Sequence, residues 1–135
     1  EAGTPDVAGI IGLGAAVDFI NSIGIEVIHD YEEDLVNYTI ERLSEFEEVV
    51  IYAKEAKHAG AVSFNLKLDG VHSSDVGMIL DKKGVAVRTG YHCAQPIMHH
   101  FGIPGTVRAS FGIYNTKEEI DTFIEALKTA IRMLG

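Results

Sequence analysis

The chain has 135 residues, a formal net charge of −9 and 47% hydrophobic residues, which suffices for one domain with a buried core. The acidic balance argues against nucleic acid or an anionic membrane as a partner, because both are bound by clusters of Lys and Arg that this sequence lacks. No apolar run reaches the ~18–20 residues of a membrane span, and no secretory signal is visible. The single cysteine, Cys93, cannot form an internal disulfide and suits a reducing compartment, so we expect a cytoplasmic protein.

The N-terminal residues predict one helix that ends at about Ser22. Thr4 is a typical N-cap residue, Pro5 suits the first helical position, and Asp6 adds negative charge to the first turn. Apolar residues lie on nearly every side of this helix, so we interpret residues 1–22 as an interdomain helix. Its three interior glycines follow no strand, and we therefore reject a dinucleotide-binding loop.

Within this single domain fragment, residues 30–135 are predicted to form an α+β small domain. Asp30 with Glu33 resembles a capping box at the start of a second amphipathic helix. A β-branched run at residues 49–53 and an alternating segment at residues 62–68 then predict a hairpin.

The following segments alternate between helix and strand. Ser73 or Ser74 is expected to cap a third helix that ends at a glycine, and a strand at residues 85–88 follows at once. A short helical turn at residues 96–101 precedes a strand at residues 106–114.

The last helix has the clearest signals. Thr116 and Glu119 form a capping box, and the helix carries one apolar stripe. The element order, ααββαβ, a short α, then βα, predicts an α+β fold in which helices cover a small, largely antiparallel sheet.

Cys93 follows the predicted strand at residues 85–88 and lies between Arg88 and Arg108 in the sequence. Positive charge and helix N-terminal N–H groups stabilise a thiolate, which is the nucleophilic form of cysteine. Composition alone instead favours a structural role for Cys93, as a small buried hydrophobic residue. Arg108 falls on the polar face of its predicted strand, where its guanidinium can meet an anion.

Two other interpretations of the Cys93 neighbourhood are weaker. His92, Cys93, His99 and His100 form a Cys/His cluster, but zinc sites need about four ligands in a settled spacing, so we predict no metal site. The run from His92 to His99 resembles the thiol phosphatase loop H-C-x₅-R. His99 stands in place of the arginine, however, and no glycines turn backbone N–H groups toward a phosphate.

Four segments resemble the SufS-type (group II) cysteine desulfurases, which are PLP enzymes of the class V aminotransferase superfamily. These segments are RTGYHCAQP at residues 88–96, RAS at 108–110, YNT at 114–116 and EAGTP at 1–5. The resemblance covers essentially the whole chain but only the C-terminal third of such an enzyme. It implies the C-terminal small domain of a fold-type I PLP enzyme.

The resemblance also implies a chemistry for Cys93. In this family the matching thiolate attacks the sulfur of PLP-bound L-cysteine, releases alanine and leaves a persulfide. The sulfur then passes to an acceptor, here a SufE- or SufU-like protein, for Fe–S cluster assembly. His92 is the second candidate catalytic residue, because a histidine can relay a proton near neutral pH. It can equally be a packing residue.

Four further residues receive roles by the same resemblance. Arg108 matches the arginine that binds the substrate carboxylate, and Arg88 matches a second active-site arginine, although a surface ion pair is its alternative. Gly3 and Thr4 match a segment that contacts the cofactor phosphate of the other subunit in a homodimer. For Thr4 this contact is compatible with helix capping.

None of the seven lysines lies in the Ser-x-His-Lys context where the family carries its cofactor lysine. The resemblance therefore implies that the lysine and the Asp facing the pyridine nitrogen lie upstream of Glu1, and that this chain alone is inactive. Selenocysteine lyase and cysteine-sulfinate desulfinase share the scaffold and remain alternatives for the parent. A non-catalytic, thiol-bearing domain that docks a sulfur acceptor remains the alternative for the isolated chain.

Overall fold

The computed structural model describes residues 2–135, so Glu1 of the EAGTP segment lies outside the described residues. The described elements follow the predicted order. The helices are α1 (Val7–Ile23), α2 (Ile25–Leu43), α3 (Ser73–Lys82), α4 (Gln95–Phe101) and α5 (Lys117–Leu134), and the strands are β1 (Val49–Ile51), β2 (Ala61–Leu66), β3 (Arg88–Gly90) and β4 (Thr106–Ser110).

The four strands form one antiparallel sheet in the spatial order β1-β2-β4-β3. β1 and β2 form the predicted hairpin, with Val49 opposite Leu66. β4 lies between β2 and β3, so that Arg108 is opposite Ser63 on one side and Arg88 on the other. The predicted α+β fold with a small antiparallel sheet is confirmed.

The core lies on one face of this sheet, under α2, α3 and α5. Because side chains alternate along a strand, Val62 and Phe64 of β2 and Val107 of β4 point to this face and are fully buried. The ring centroids of Phe64 and Phe123 are 5.8 Å apart, which ties the sheet to α5. Each such side chain contributes roughly 1.5–3 kcal/mol by burial. The opposite face of the sheet carries the polar side chains discussed below.

The capping box of α5 is confirmed. Thr116 Oγ1 accepts a hydrogen bond from the Glu119 N–H at 3.3 Å, and Glu119 Oε2 accepts from the Thr116 N–H at 3.1 Å. Asn115 Nδ2 also donates to this carboxylate at 3.0 Å. The Asn115 hydrogen bond, followed by that from Thr116, lowers the pKa of Glu119 below its ordinary value. The ionised carboxylate is therefore the form that caps the helix.

The start of α1 differs from the prediction. The N-cap is Asp6, whose carboxylate accepts from the Gly9 N–H at 3.0 Å, and Thr4 and Pro5 precede the helix. A carboxylate is as good an N-cap as a threonine hydroxyl, so the helix begins later than the Thr4-Pro5 pair suggests. The predicted capping role of Thr4 is therefore wrong.

The start of α2, by contrast, is earlier than predicted. α1 ends at Gly24, whose φ of 95° breaks the helix, and α2 begins at once with Ile25. Asp30 and Glu33 therefore lie inside α2, and the predicted capping box is wrong. Glycine adopts positive φ at little cost, so a single residue separates two helices that meet at 75°.

The start of α3 is one or two residues earlier than predicted. His72 is the N-cap, and its main-chain N–H donates to Asp75 Oδ2 at 2.9 Å. Ser73 and Ser74, the predicted caps, are already helical. Gly84 follows the helix with a φ of 79°, as predicted for a C′ glycine.

The strands predicted at residues 49–53 and 62–68 end two residues early, at Ile51 and Leu66, and two other boundaries differ more. The Val85 N–H still donates to Leu80 O of α3 at 3.0 Å, so the strand predicted at residues 85–88 begins only at Arg88. The strand predicted at residues 106–114 ends at Ser110. A turn follows, in which the Asn115 N–H donates to Gly112 O at 3.0 Å.

α1 differs from the other long helices because it has no buried residue. Ile11 is 69% exposed and Leu13 is 67% exposed. Within residues 2–135, no single helix is long and apolar enough to cross a membrane, whereas the bent pair of α1 and α2 would meet that criterion by length and composition.

Candidate active site

Cys93 lies at the tip of a tight turn between β3 and α4. His92 and Cys93 have φ angles of 53° and 58°, and the Ala94 N–H donates to Tyr91 O at 2.8 Å. Positive φ at both central residues is typical of a type I′ turn. Non-glycine residues adopt this backbone at a cost, so the turn is held by its surroundings. The thiol is free and exposed.

Arg88 provides the positive charge next to this thiol. Its Nη2 lies 3.4 Å from Cys93 Sγ, within hydrogen-bond distance for sulfur. A guanidinium donates only, so the sulfur is the acceptor in this contact. The structure thus brings together the last residue of the predicted strand and the thiol in the loop that follows it.

Arg88 and Arg108 lie directly opposite each other on β3 and β4. Like charges at such a position repel, and a bound anion would relieve the repulsion. Neither guanidinium forms an ion pair with a carboxylate of residues 2–135, whereas Arg42 pairs with both Glu45 and Asp121. The hydrogen bond described for Arg108 goes from Nε to Ser110 Oγ at 3.1 Å.

His92 is fixed by Thr106, a buried residue that sequence reasoning missed. His92 Nε2 lies 3.1 Å from Thr106 O and 2.8 Å from Thr106 Oγ1. A carbonyl only accepts, so the neutral ring carries its proton on Nε2 and presents a bare Nδ1. Burial, then the charges of Arg108 and Arg88, lower the pKa of His92, although its hydrogen bond to Thr106 opposes the shift. His92 is therefore neutral at pH 7.

A cleft of about 360 Å³ opens on the same face of the sheet. Its lining includes His92, Arg108, Ser63, Tyr52 and His58. The last three were not predicted as site residues. The polar alternation of the strand at residues 62–68 was the available signal for Ser63, whereas nothing local marked Tyr52 or His58.

The cleft also holds hydrogen-bond acceptors without partners. His58 Nδ1 lies 3.1 Å from Ala61 O and therefore carries the ring proton. His58 Nε2 and His92 Nδ1, on two side chains that line the cleft, are buried atoms without a partner among the described residues. Buried polar atoms are nearly always paired, so the cleft fits a polar ligand better than an apolar one.

The remaining predicted site residues lie elsewhere. Gly3 and Thr4 are exposed ahead of α1, and no described hydrogen bond joins them to Cys93 or either arginine. No lysine lines the cleft within residues 2–135. Of the thiol and the two guanidiniums, only that of Arg108 lines the cleft, whereas Cys93 and Arg88 are outside its lining, and the lining offers no lysine amine of the kind that PLP enzymes use. In the same part of the chain, no three His, Cys, Asp or Glu side chains are grouped to hold a metal ion.

Charge is distributed unevenly around this site. Residues 84–116, which we call the acid-free segment, contain two arginines and three histidines but no Asp, Glu or Lys. With neutral histidines the segment contributes +2, which leaves −11 for the rest of the chain. The thiol, both guanidiniums and α4 all belong to it.

Comparison with known proteins identifies the class. The family model described as "Aminotransferase class-V" matches residues 1–123, so the chain belongs to the class V aminotransferase family.

Several proteins that it resembles are named cysteine desulfurases. The cysteine desulfurase of Salmonella agona is 46% identical over 135 residues, which are 100% of this chain and 32% of that protein. The crystal structure of the cysteine desulfurase CsdA from Escherichia coli matches with a TM-score of 0.90 and 34% identity, covering 100% of this chain and 33% of that one. The apo structure of the cysteine desulfurase from Thermococcus onnurineus NA1 matches with a TM-score of 0.89 and 46% identity, covering 99% of this chain and 33% of that one. The chain thus spans about a third of the length of its curated relatives. The predicted resemblance to cysteine desulfurases is confirmed, and the SufS-type subgroup stays a prediction.

Proposed function

We propose that this chain is the C-terminal part of a PLP-dependent cysteine desulfurase of the SufS type, in which Cys93 accepts the sulfur of L-cysteine. The contact between Arg88 Nη2 and Cys93 Sγ carries the proposal. It gives the chain's only thiol a cationic hydrogen-bond donor on an exposed turn, which is the setting of a reactive rather than a structural cysteine.

Arg108 is the proposed site for the substrate carboxylate. A guanidinium binds a carboxylate through two parallel hydrogen bonds, and Arg108 has no carboxylate partner within residues 2–135. Arg88 is committed to Cys93, so the two opposed guanidiniums divide their roles. One orients the amino acid, and the other stabilises the thiolate that attacks it.

The proposed transfer is a displacement at sulfur. The Cys93 thiolate attacks the substrate sulfur, so that a S–S bond forms and the substrate C–S bond breaks. The electron pair of the C–S bond stays on carbon, which is then protonated to give alanine, and Cys93 keeps a persulfide. PLP, when bound, supplies the electron sink that makes this bond cleavage feasible. Neutral His92 has a bare Nδ1 beside the cleft and is the proposed proton relay of this chain.

The rest of the longer protein is proposed to supply the cofactor lysine and the Asp on the pyridine nitrogen. Residues 1–22 are the proposed interdomain helix, with Gly3 and Thr4 at the cofactor phosphate of the other subunit in a homodimer. The exposed apolar side chains of α1 support a packing role for this helix. The proposed destination of the sulfur is a SufE- or SufU-like acceptor for Fe–S cluster assembly in the cytoplasm.

The decisive experiment compares Cys93→Ala with the unaltered parent enzyme. Treated with L-cysteine, the variant should form no persulfide and release no alanine in multiple turnovers, while PLP absorbance is unchanged. Tyr91→Phe, two residues earlier in the same turn, is the matched control and should keep both signals. Persulfide on the Cys93→Ala protein would refute the assignment. L-selenocysteine and L-cysteine sulfinate as competing substrates would distinguish the related activities.

The chain of 135 residues is expected to fold by itself but to release no alanine from L-cysteine and PLP. It has a contiguous core, whereas no described lysine reaches the cleft. Circular dichroism checks whether the isolated chain folds, and an alanine assay checks whether it is inactive. Alanine release by the isolated chain would show that one of its own lysines serves the cofactor.

A further inference from the structure

Gly77 occupies the interior of α3, although glycine is the least favourable residue there apart from proline. A neighbouring strand explains its presence. A Cβ on Gly77 would lie 2.6 Å from Cγ2 of Thr89, the central residue of β3. Such a distance is well inside van der Waals contact. Glycine therefore allows β3 to lie directly against the helix.

A second glycine confines β3 from another direction. Gly105 has a φ of 151°, and a Cβ on it would lie 2.9 Å from both Cα and C of Gly90. β3 is an edge strand that pairs only with β4. Its three residues are thus in close contact with α3 at Thr89 and with the residue before β4 at Gly90. A side chain at position 77 would push Thr89 while Gly105 resists movement of Gly90.

Close packing is not a general property of the helical glycines of this chain. A Cβ added at Gly12 or Gly14 of α1 would meet no neighbouring atom within 4 Å, and one at Gly9 would meet only the side chain of its own N-cap, Asp6. Gly77 differs because its neighbour is a β-branched side chain of another element. Because Gly77 has no side chain, β3 can pack close to α3.

The strand that Gly77 admits carries a site residue. Arg88 directly precedes Thr89, contacts Cys93 Sγ and lies opposite Arg108. We propose that Gly77 is a positioning residue, which holds Arg88 against Cys93 by letting β3 approach α3. The functional meaning of this placement rests on the proposed sulfur chemistry. The placement itself is testable without turnover.

The test uses the parent enzyme and two alkylating reagents, iodoacetate and iodoacetamide. Both attack the same Cys93 thiolate, but only iodoacetate is an anion. The ratio of their rate constants therefore reports positive charge near Sγ and not the amount of thiolate. In Gly77→Ala the ratio of the iodoacetate rate constant to the iodoacetamide rate constant should fall by about fivefold. The attraction between one guanidinium and the iodoacetate anion at close range in water is of that order. Thr89→Ala, which removes the clashing methyl group, should leave the ratio unchanged.

The double variant Gly77→Ala/Thr89→Ala decides the cause. Restoration of the ratio in the double variant would support the proposed contact. An unchanged ratio in folded Gly77→Ala would overturn the proposal, as would a fall that the double variant does not reverse. If Gly77→Ala does not fold, a folded double variant with the normal ratio supports the proposal and an unfolded one overturns it. Alkylation is independent of persulfide formation, so failure of the proposed function would be seen separately, in the alanine assay.

Discussion

The two faces of the four-stranded sheet differ in polarity, because one is buried and apolar and the other is open and carries charged groups. On the helix-covered face, Phe64 and Val107 are fully buried among other apolar side chains. On the open face, Arg88 and Arg108 are opposed without a carboxylate partner in residues 2–135, and His92 presents an unpaired nitrogen. The free energy gained by burying apolar side chains on one face can offset the repulsion between the two arginines on the other, because the stability of a domain is the sum of all such contributions. Groups left unpaired in this way are available to a ligand.

The largest expected effect is on the helix-covered face. Phe64→Ala should destabilise the chain by about 3–5 kcal/mol, because it removes a fully buried ring and leaves a cavity beside Phe123. Urea unfolding measures the change. Tyr114→Ala is the control, since Tyr114 is 79% exposed and its loss should change stability by less than about 0.5 kcal/mol. If Phe64→Ala lowered the free energy of unfolding by less than about 1 kcal/mol, the ring would not be a main contributor to the stability of the core.

On the open face, Arg108→Lys in the parent should weaken L-cysteine binding by about 1–3 kcal/mol and leave stability nearly unchanged. A lysine ammonium cannot make the two parallel bonds of a guanidinium to a carboxylate. Substrate titration measures the affinity. Arg132→Lys, an exposed arginine near the end of α5, is the matched control and should bind normally. Equal affinities in both variants would remove Arg108 from the substrate site.

His92 should give a smaller, pH-dependent effect. Its pKa is lowered mainly by burial, so the neutral ring contributes stability that is fully present above pH 6.5 and lost as the pH falls through the folded value. NMR titration of the ring should place its midpoint below 6.5. In Arg108→Gln the midpoint should rise only partly, because burial, the largest cause, remains. A midpoint at or above 6.5 in the unaltered chain would contradict the buried, neutral state.

The smallest expected effect lies at the cap of α5. The hydrogen bonds from Asn115 and Thr116 lower the pKa of Glu119, so this carboxylate stabilises the fold above its ordinary pKa of 4.5 and ceases to do so as the pH falls through the folded value. Glu119→Gln should therefore lower the thermal midpoint slightly at pH 7 and by less at pH 3. Thermal unfolding at the two pH values measures this difference. Glu41→Gln, at an exposed position of α2 with no ion pair among the described residues, is the control.

The sequence predicted the element order and the fold class because the hydrophobic periodicity of α5 and the alternation of β2 are local signals. It failed at boundaries where several residues can perform the same task, such as Asp6 instead of Thr4 at the start of α1. It also could not foresee that Arg88 and Arg108 are cross-strand neighbours, because their register depends on how β3 and β4 pair. Thr106, far from His92 in sequence, was missed for the same reason.

The acid-free segment makes the molecule electrically polar as a whole. Its +2 comes from Arg88 on β3 and Arg108 on β4, whereas carboxylates such as Glu33, Glu118 and Glu125 lie on helices α2 and α5. Such a separation orients a protein on approach to a charged surface. On a positively charged resin the chain would bind through its acidic helices and leave the thiol turn facing the solvent, where it can still react.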